Sequence, residues 1–190
     1  DILMKQQPNV MLNISASPFD YTHDEDRKAT IKSNVEKYKI PLIYCNAVGS
    51  QTAILFDGAS LVFDKDANLC CQLPQFKEEL KEIILKDDGT IDSPVIEPAA
   101  SVPGRLLEPL YFNPELNISQ VYEAIILGIK DYFSKMGFTK AIIGSSGGID
   151  SAVTIALACE ALGKENVRAI LMPSEYSTSH SVADAEKLSK

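Results

Sequence analysis

The sequence predicts an α/β protein in two unlike halves, and three observations carry that expectation. A strand, a glycine-rich turn, an alanine-rich helix and another strand follow one another from Ala141 to Met172, the order of a βαβ unit in a parallel sheet. Short apolar runs separated by Asp, Gly and Asn turns fill residues 42–73, the pattern of a meander. Between these regions Pro94, Pro98, Pro103, Pro109 and Pro114 crowd a stretch without periodicity, which reads as a connector over 86–115. The expected organisation is one domain over 1–85, this connector, and a second domain over 116–190.

Taken in order, Val10 to Ile14 reads as a buried strand ending at the turn Ser15-Ala16-Ser17-Pro18. Asp24 to Tyr38 is charged and helical in pattern, with Ala29, Ile31 and Val35 as a thin apolar stripe and Pro41 as the stop. Strands are expected over 42–45, 54–56, 60–63 and 69–73, where Cys70 and Cys71 would face opposite ways. Past the connector, Ser119 is a candidate N-cap for a helix carrying Val121, Ile125, Ile129, Tyr132 and Met136, which Gly137 closes. Ala141–Gly144 is the next strand, Ser151–Leu162 a helix ended by Gly163, Val167–Met172 a strand stopped by Pro173, and Ser181 opens a last helix.

Composition excludes several classes. The formal net charge of −8 and pI near 4.8 argue against a nucleic-acid binder, which needs a basic face to displace counterions. No apolar run approaches the roughly 20 residues of a membrane span, and no basic segment followed by an apolar core opens the chain. Cys45, Cys70, Cys71 and Cys159 have neither zinc-type nor regular disulfide spacing, so reduced thiols in the cytoplasm are expected.

The chemistry concentrates in Gly144-Ser145-Ser146-Gly147-Gly148-Ile149-Asp150-Ser151, where a parallel strand gives way to a helix. Consecutive glycines let the backbone turn with its amides unobstructed, and the helix start adds free N–H groups and a positive dipole end. Ser146 and Ser151 can add hydroxyls, and Asp150 can hold Mg²⁺ that bridges to phosphates. Such a cradle suits a di- or triphosphate. No Lys falls between Gly144 and Ser151, which excludes a Walker A loop, and GxGxxG spacing is absent. Gly144, Ser146 and Gly148 do fit GxSxG, so a serine-hydrolase elbow is a rival; it needs a later Asp or Glu and a later His, and of His23 and His180 only His180 follows the loop, unusually close behind it for that fold. The plainest alternative is a tight turn with Asp150 capping its helix.

Ser146–Ser151, SGGIDS, resembles the signature of the ATP-pyrophosphatase (PP-loop) enzymes, which adenylylate a substrate oxygen and release pyrophosphate. Tyr122–Gly128, Asp131-Tyr132 and Gly137-Phe138, with Glu160–Gly163 and Met172–Thr178 beyond the loop, are similar to the synthetase domain of glutamine-dependent NAD synthetases. Asn13–Phe19, Tyr44–Gly49 and Leu55–Ser60 resemble the nitrilase-type glutaminase domain fused to it. The implied fold is the C-terminal part of a nitrilase-like α/β sandwich followed by the start of a parallel-sheet PP-loop domain.

The resemblance implies a ligase that activates deamido-NAD with ATP and Mg²⁺ and amidates it with ammonia from glutamine, in the cytoplasm, as a homo-oligomer, with no nucleic-acid or membrane partner. It places Gly144, Ser145, Ser146, Gly147, Gly148, Ile149, Asp150, Ser151 and Met172 at ATP, with Asp150 on the metal and Tyr132 in the deamido-NAD pocket. Met172 and Tyr132 could equally be packing residues. Ser17 and His23 fall at glutamine contacts, although relatives carry Gly-Lys where Thr22-His23 stands here; a turn former and a solvated helix start are the alternatives. The family's Glu, Lys and Cys triad has no counterpart in this chain, since its Cys would precede Asp1, and Cys45, Cys70 and Cys71 are not assigned to it. An interior piece of a longer polypeptide, without a complete active site of its own, is the expectation. Other PP-loop amidotransferases and a degenerate nucleotide-binding scaffold are further alternatives.

Overall fold

A computed structural model describes residues 2–92, 114–173 and 179–188. Its first sheet starts with β1 (Met11–Ser15), and α1 (His23–Tyr38) makes the crossover that lets β2 (Leu42–Asn46) return parallel to it. Asp24, Glu25 and Asp26 lie in the first turn of α1, where the helix dipole favours negative charge. The helix ends at Lys39, in the left-handed conformation, just ahead of Pro41.

A hairpin of β3 (Val48–Gln51) and β4 (Ile54–Asp57) follows. β5 (Leu61–Phe63) then runs antiparallel to β2, and β6 (Leu69–Gln72) antiparallel to β5, giving the order β1-β2-β5-β6. The expected meander is thus a sheet with one parallel and two antiparallel pairings, and β3 is a strand that its Gly and Ser had hidden.

Ile31, Val35, Leu42, Tyr44, Leu61, Phe63 and Ala67 form the core between α1 and the sheet. Val35 and Leu61 are fully buried. Each such side chain is worth about 1.5–3 kcal/mol relative to exposure. The first strand departs from expectation: Leu12 and Ile14 are 69% and 89% exposed. Among the described strands β1 is the outermost of its sheet, and Met11 alone of its apolar residues packs against the core, so the pleat turns Leu12 and Ile14 to the opposite face. Ala29, read as part of the stripe on α1, is exposed as well.

A small hairpin of β7 (Ile84–Leu85) and β8 (Ile91–Asp92) carries order into the stretch read as connector. Residues 93–113 lie outside the described residues. The next helix, α2 (Pro114–Met136), starts five residues before the expected N-cap Ser119. Proline suits a first helical turn, where its missing N–H has no carbonyl to meet and its φ is already helical. Gly137 closes α2 with φ 73°, as its position suggested.

β9 (Ala141–Ser145), α3 (Ile149–Leu162) and β10 (Val167–Leu171) form the βαβ unit, with the strands parallel and Gly144 opposite Ile170. Gly163 ends α3 with φ 87°; a Cβ there would lie 2.5 Å from Glu165 Oε1. The last helix is α4 (Ser179–Leu188).

The chain divides into two compact units, Asp1–Gly49 with Ala53–Val121, and Ser50–Thr52 with Tyr122–Lys190. In the second, the Ser50 amide donates to Asp131 Oδ2 at 2.7 Å, and Lys135 pairs with the same carboxylate at 3.0 Å. Burial opposes the charge on Asp131, but these partners overcome it and hold its carboxyl below the usual aspartate range. No helix among the described residues is long and apolar enough to cross a membrane.

Candidate functional site

In the second unit, β9 delivers the chain to a turn braced by its own serines. The Ser146 amide donates to Ser151 Oγ at 3.2 Å, and the Gly148 amide donates to Ser146 Oγ at 3.2 Å. Ser151 Oγ donates to the Gly148 carbonyl at 3.0 Å, which uses its proton. In the 3.1 Å contact between the two hydroxyls, Ser146 is therefore the donor. Gly147 sits at φ 80°, a left-handed conformation that costs an L side chain about 1–2 kcal/mol.

Gly148 precedes α3 and brings no side-chain oxygen to its first-turn amides. Ile149 is 74% exposed and Asp150 is exposed beside it, at the positive end of the helix. A turn with Asp150 as N-cap is thereby excluded, because Asp150 lies inside the first turn and Gly148 holds the cap position. No group of three or more His, Cys, Asp or Glu suited to a metal ion occurs among the described residues. A lone exposed carboxylate beside uncapped amides fits Mg²⁺ of the kind that takes one or two protein carboxylates and completes its shell with phosphate and water.

The other predicted residues of this unit gather unevenly. Met172 follows β10 and is 73% exposed, and its Cε lies 3.2 Å from where a Cβ on Gly144 would be. Gly144 thus lets the thioether cross the strand end next to the turn. Ser145 is buried, its Oγ without a hydrogen-bond partner. Tyr132 lies on α2, partly exposed, with ring centroids 6.4 Å from Phe133 and 6.5 Å from Phe138. It belongs to an aromatic cluster rather than to the turn. As for the serine-hydrolase elbow, the partners of Ser146 Oγ among the described residues are Ser151 and Gly148, not an imidazole.

In the first unit, Ser17 stands at the end of a tightly pinned segment. Ser15 accepts the Ala47 amide at 3.0 Å, and the Phe19 amide donates to Leu55 at 2.7 Å. The Ser17 amide donates to Asn46 Oδ1 at 2.8 Å. Behind Asn46 is a buried ion pair, with Arg27 Nη1 and Nη2 reaching the Asp57 carboxylate at 3.1 and 3.0 Å. Burial works against the Arg27 charge, and the hydrogen bond and charge of Asp57 outweigh it, so the guanidinium is held more firmly protonated than usual. Asp57 also takes bonds from Asn46 at 3.2 Å and Gln75 at 3.5 Å. Sequence reasoning missed Arg27 and Asp57. One signal was available: Arg27, Ile31 and Val35 recur every fourth residue, which puts the charge on the apolar stripe.

His23 opens α1, and its side chain lies outside what is described. Cys45 is exposed and Cys71 buried. Burial first, then the charge of Asp64, pushes the Cys70 thiol up, the reverse of an activated nucleophile.

A parallel βαβ unit whose turn offers unblocked amides and an acid has the geometry to receive a phosphate group, and the model of the NAD synthase family matches residues 121–190. The likeness extends to the first unit. The chain is 38% identical over 188 residues to the glutamine-dependent NAD(+) synthetase of Synechocystis sp., covering 99% of this chain and 31% of that protein. With the enzyme of the same name from Thermotoga maritima it shares 34% identity over 200 residues, 96% of this chain and 35% of the other. A solved glutamine-dependent NAD+ synthetase from Acinetobacter baumannii, in complex with ADP, superposes with a TM-score of 0.81 at 30% identity, over 97% of this chain and 32% of that one. Over nearly its whole length the chain is similar to glutamine-dependent NAD(+) synthetases, and it spans about a third of the length of the curated relatives it matches.

Proposed function

We propose that this chain serves ATP-dependent amidation of deamido-NAD to NAD, with ammonia released from glutamine. In this reading the carboxylate oxygen of deamido-NAD attacks the α-phosphorus of ATP and pyrophosphate leaves. Ammonia then adds to the acyl carbon, AMP departs, and the amide remains. AMP is a far better leaving group than a carboxylate oxygen, which is why activation is needed.

The turn at 146–151 carries the proposal, because it joins uncapped first-turn amides to an exposed acid at a strand's carboxyl end. Gly144 to Ser151 would take the phosphates, with Met172 alongside for the nucleotide. Asp150 would hold Mg²⁺, whose charge offsets that of the polyphosphate. The ADP in the Acinetobacter baumannii relative supports nucleotide binding here. Tyr132 would contribute to the deamido-NAD pocket through its exposed edge. Residues 1–85 would belong to the glutaminase domain, where Ser17 and His23 hold glutamine; 86–115 would connect, and 116–190 would begin the synthetase domain. A cytoplasmic homo-oligomer completes the reading.

The test uses the full-length polypeptide that contains this sequence, supplied with deamido-NAD, ATP, Mg²⁺ and either glutamine or ammonia. Asp150→Asn should abolish NAD formation from both nitrogen sources while glutamine hydrolysis persists. Undiminished NAD formation would remove Asp150 from the site.

A further inference from the structure

We infer that Asn46 is a positioning residue for glutamine use: its side chain clamps both backbone groups of Ser17 and so fixes where the Ser17 hydroxyl stands. The inference rests on the proposed glutamine contact of Ser17.

Asn46 lies at the end of β2 and is buried, only 6% exposed. Its amide is committed at every edge. The Asp57 carboxylate, tied to Arg27, can only accept, so Asn46 must turn Nδ2 toward it, at 3.2 Å. That choice leaves Oδ1 for the Ser17 N–H at 2.8 Å, while Nδ2 also reaches the Ser17 carbonyl at 3.4 Å. The Asn46 backbone amide in turn donates to Ser60 Oγ at 3.0 Å. The side chain therefore continues the β1–β2 pairing beyond Ser15 opposite Asn46, gripping Ser17 as a neighbouring strand would.

The hydroxyl of Ser17 itself has no partner among the described residues. Its backbone is held from both sides and its Oγ is left to an outside group, the arrangement of a preset hydrogen-bonding position. Arg27 and Asp57 enter as the pair that sets which way the Asn46 amide faces. A clamp that served folding alone would have no reason to favour glutamine over free ammonia.

Asn46→Ala in the full-length polypeptide should raise the KM for glutamine by about tenfold or more, the scale of a lost buried hydrogen bond. Turnover with ammonia should stay as it is. Combined with Ser17→Ala, the double variant should be no worse than Ser17→Ala alone, because Asn46 acts through Ser17. Asn46→Asp keeps the acceptor for Ser17 N–H but faces Asp57 with a second carboxylate, and should fall between wild type and Asn46→Ala. An unchanged glutamine KM in Asn46→Ala, with Ser17→Ala impaired, would overturn the clamp while leaving the Ser17 contact intact. Equal loss of both activities in Asn46→Ala and Asn46→Asp would overturn it too, since a folding role would then be the whole effect. If Ser17→Ala leaves glutamine use untouched, the contact on which the clamp depends is refuted.

Discussion

The polar groups of the two units are arranged in opposite ways. Around Asp57, which is 1% exposed, the carboxylate takes bonds from Arg27, Asn46 and Gln75. At 146–151 the groups are exposed or half-buried, and α3 begins without a side-chain cap. A buried network around one fully engaged carboxylate holds shape; an open turn with spare donors is built to receive a ligand. The contrast predicts that loss of the Asp57 carboxylate will appear as lost stability and damage to the turn as lost turnover.

The largest expected effect is that of Asp57→Ala. It strands the Arg27 guanidinium, and breaking a buried pair from one side costs about 3–5 kcal/mol. Urea denaturation of the full-length polypeptide should show a large fall in the midpoint of the first unit's transition; a shift under 1 kcal/mol, as is ordinary for exposed pairs, would erase the contrast. Asp150→Asn should do the reverse. Its denaturation should match wild type, while NAD formation falls by about 100-fold or more, the scale on which a preorganised electrostatic group acts. Equal losses of stability in the two variants would show that the units do not differ as described.

Gly147→Ala sharpens the comparison, since the left-handed φ of 80° should cost about 1–2 kcal/mol in the second unit. Calorimetry should place the loss there and leave the first unit's transition alone. The smallest effect belongs to Asp131, whose carboxyl is held below the ordinary aspartate value. Its contribution is complete above the unfolded pKa of about 4. It is lost as pH falls through the lower folded value. Asp131→Asn should therefore flatten the acid limb of the second unit's stability profile and, at neutral pH, cost less than about 1 kcal/mol, as partly exposed pairs do. An acid limb identical to wild type would remove Asp131 from that role.

Legibility in the sequence follows the same division. The βαβ unit and its turn were readable because everything they need is local: Ser146, Gly148 and Ser151 bond one another within five residues. The Asp57 network was not readable, because Arg27 lies 30 residues away and Asn46 lies 11. Each taken alone looks like a surface helix charge or a turn former. The exposure of Leu12 and Ile14 was missed for a related reason. An apolar run announces a strand, but only the pairing order shows that β1 is outermost among the described strands. The start of α2 at Pro114 was lost to a rule applied too narrowly, proline being counted as a connector residue when it also suits a first turn.

The Ser146–Ser151 brace has a kinetic meaning. An incoming polyphosphate would meet a backbone already in its working curve, and would trade partners with hydroxyls rather than wait for a floppy segment to freeze. Little ordering entropy would then be spent on capture. Encounter would be governed by diffusion and the local field, and selectivity among nucleotides would have to be expressed in how quickly each one leaves.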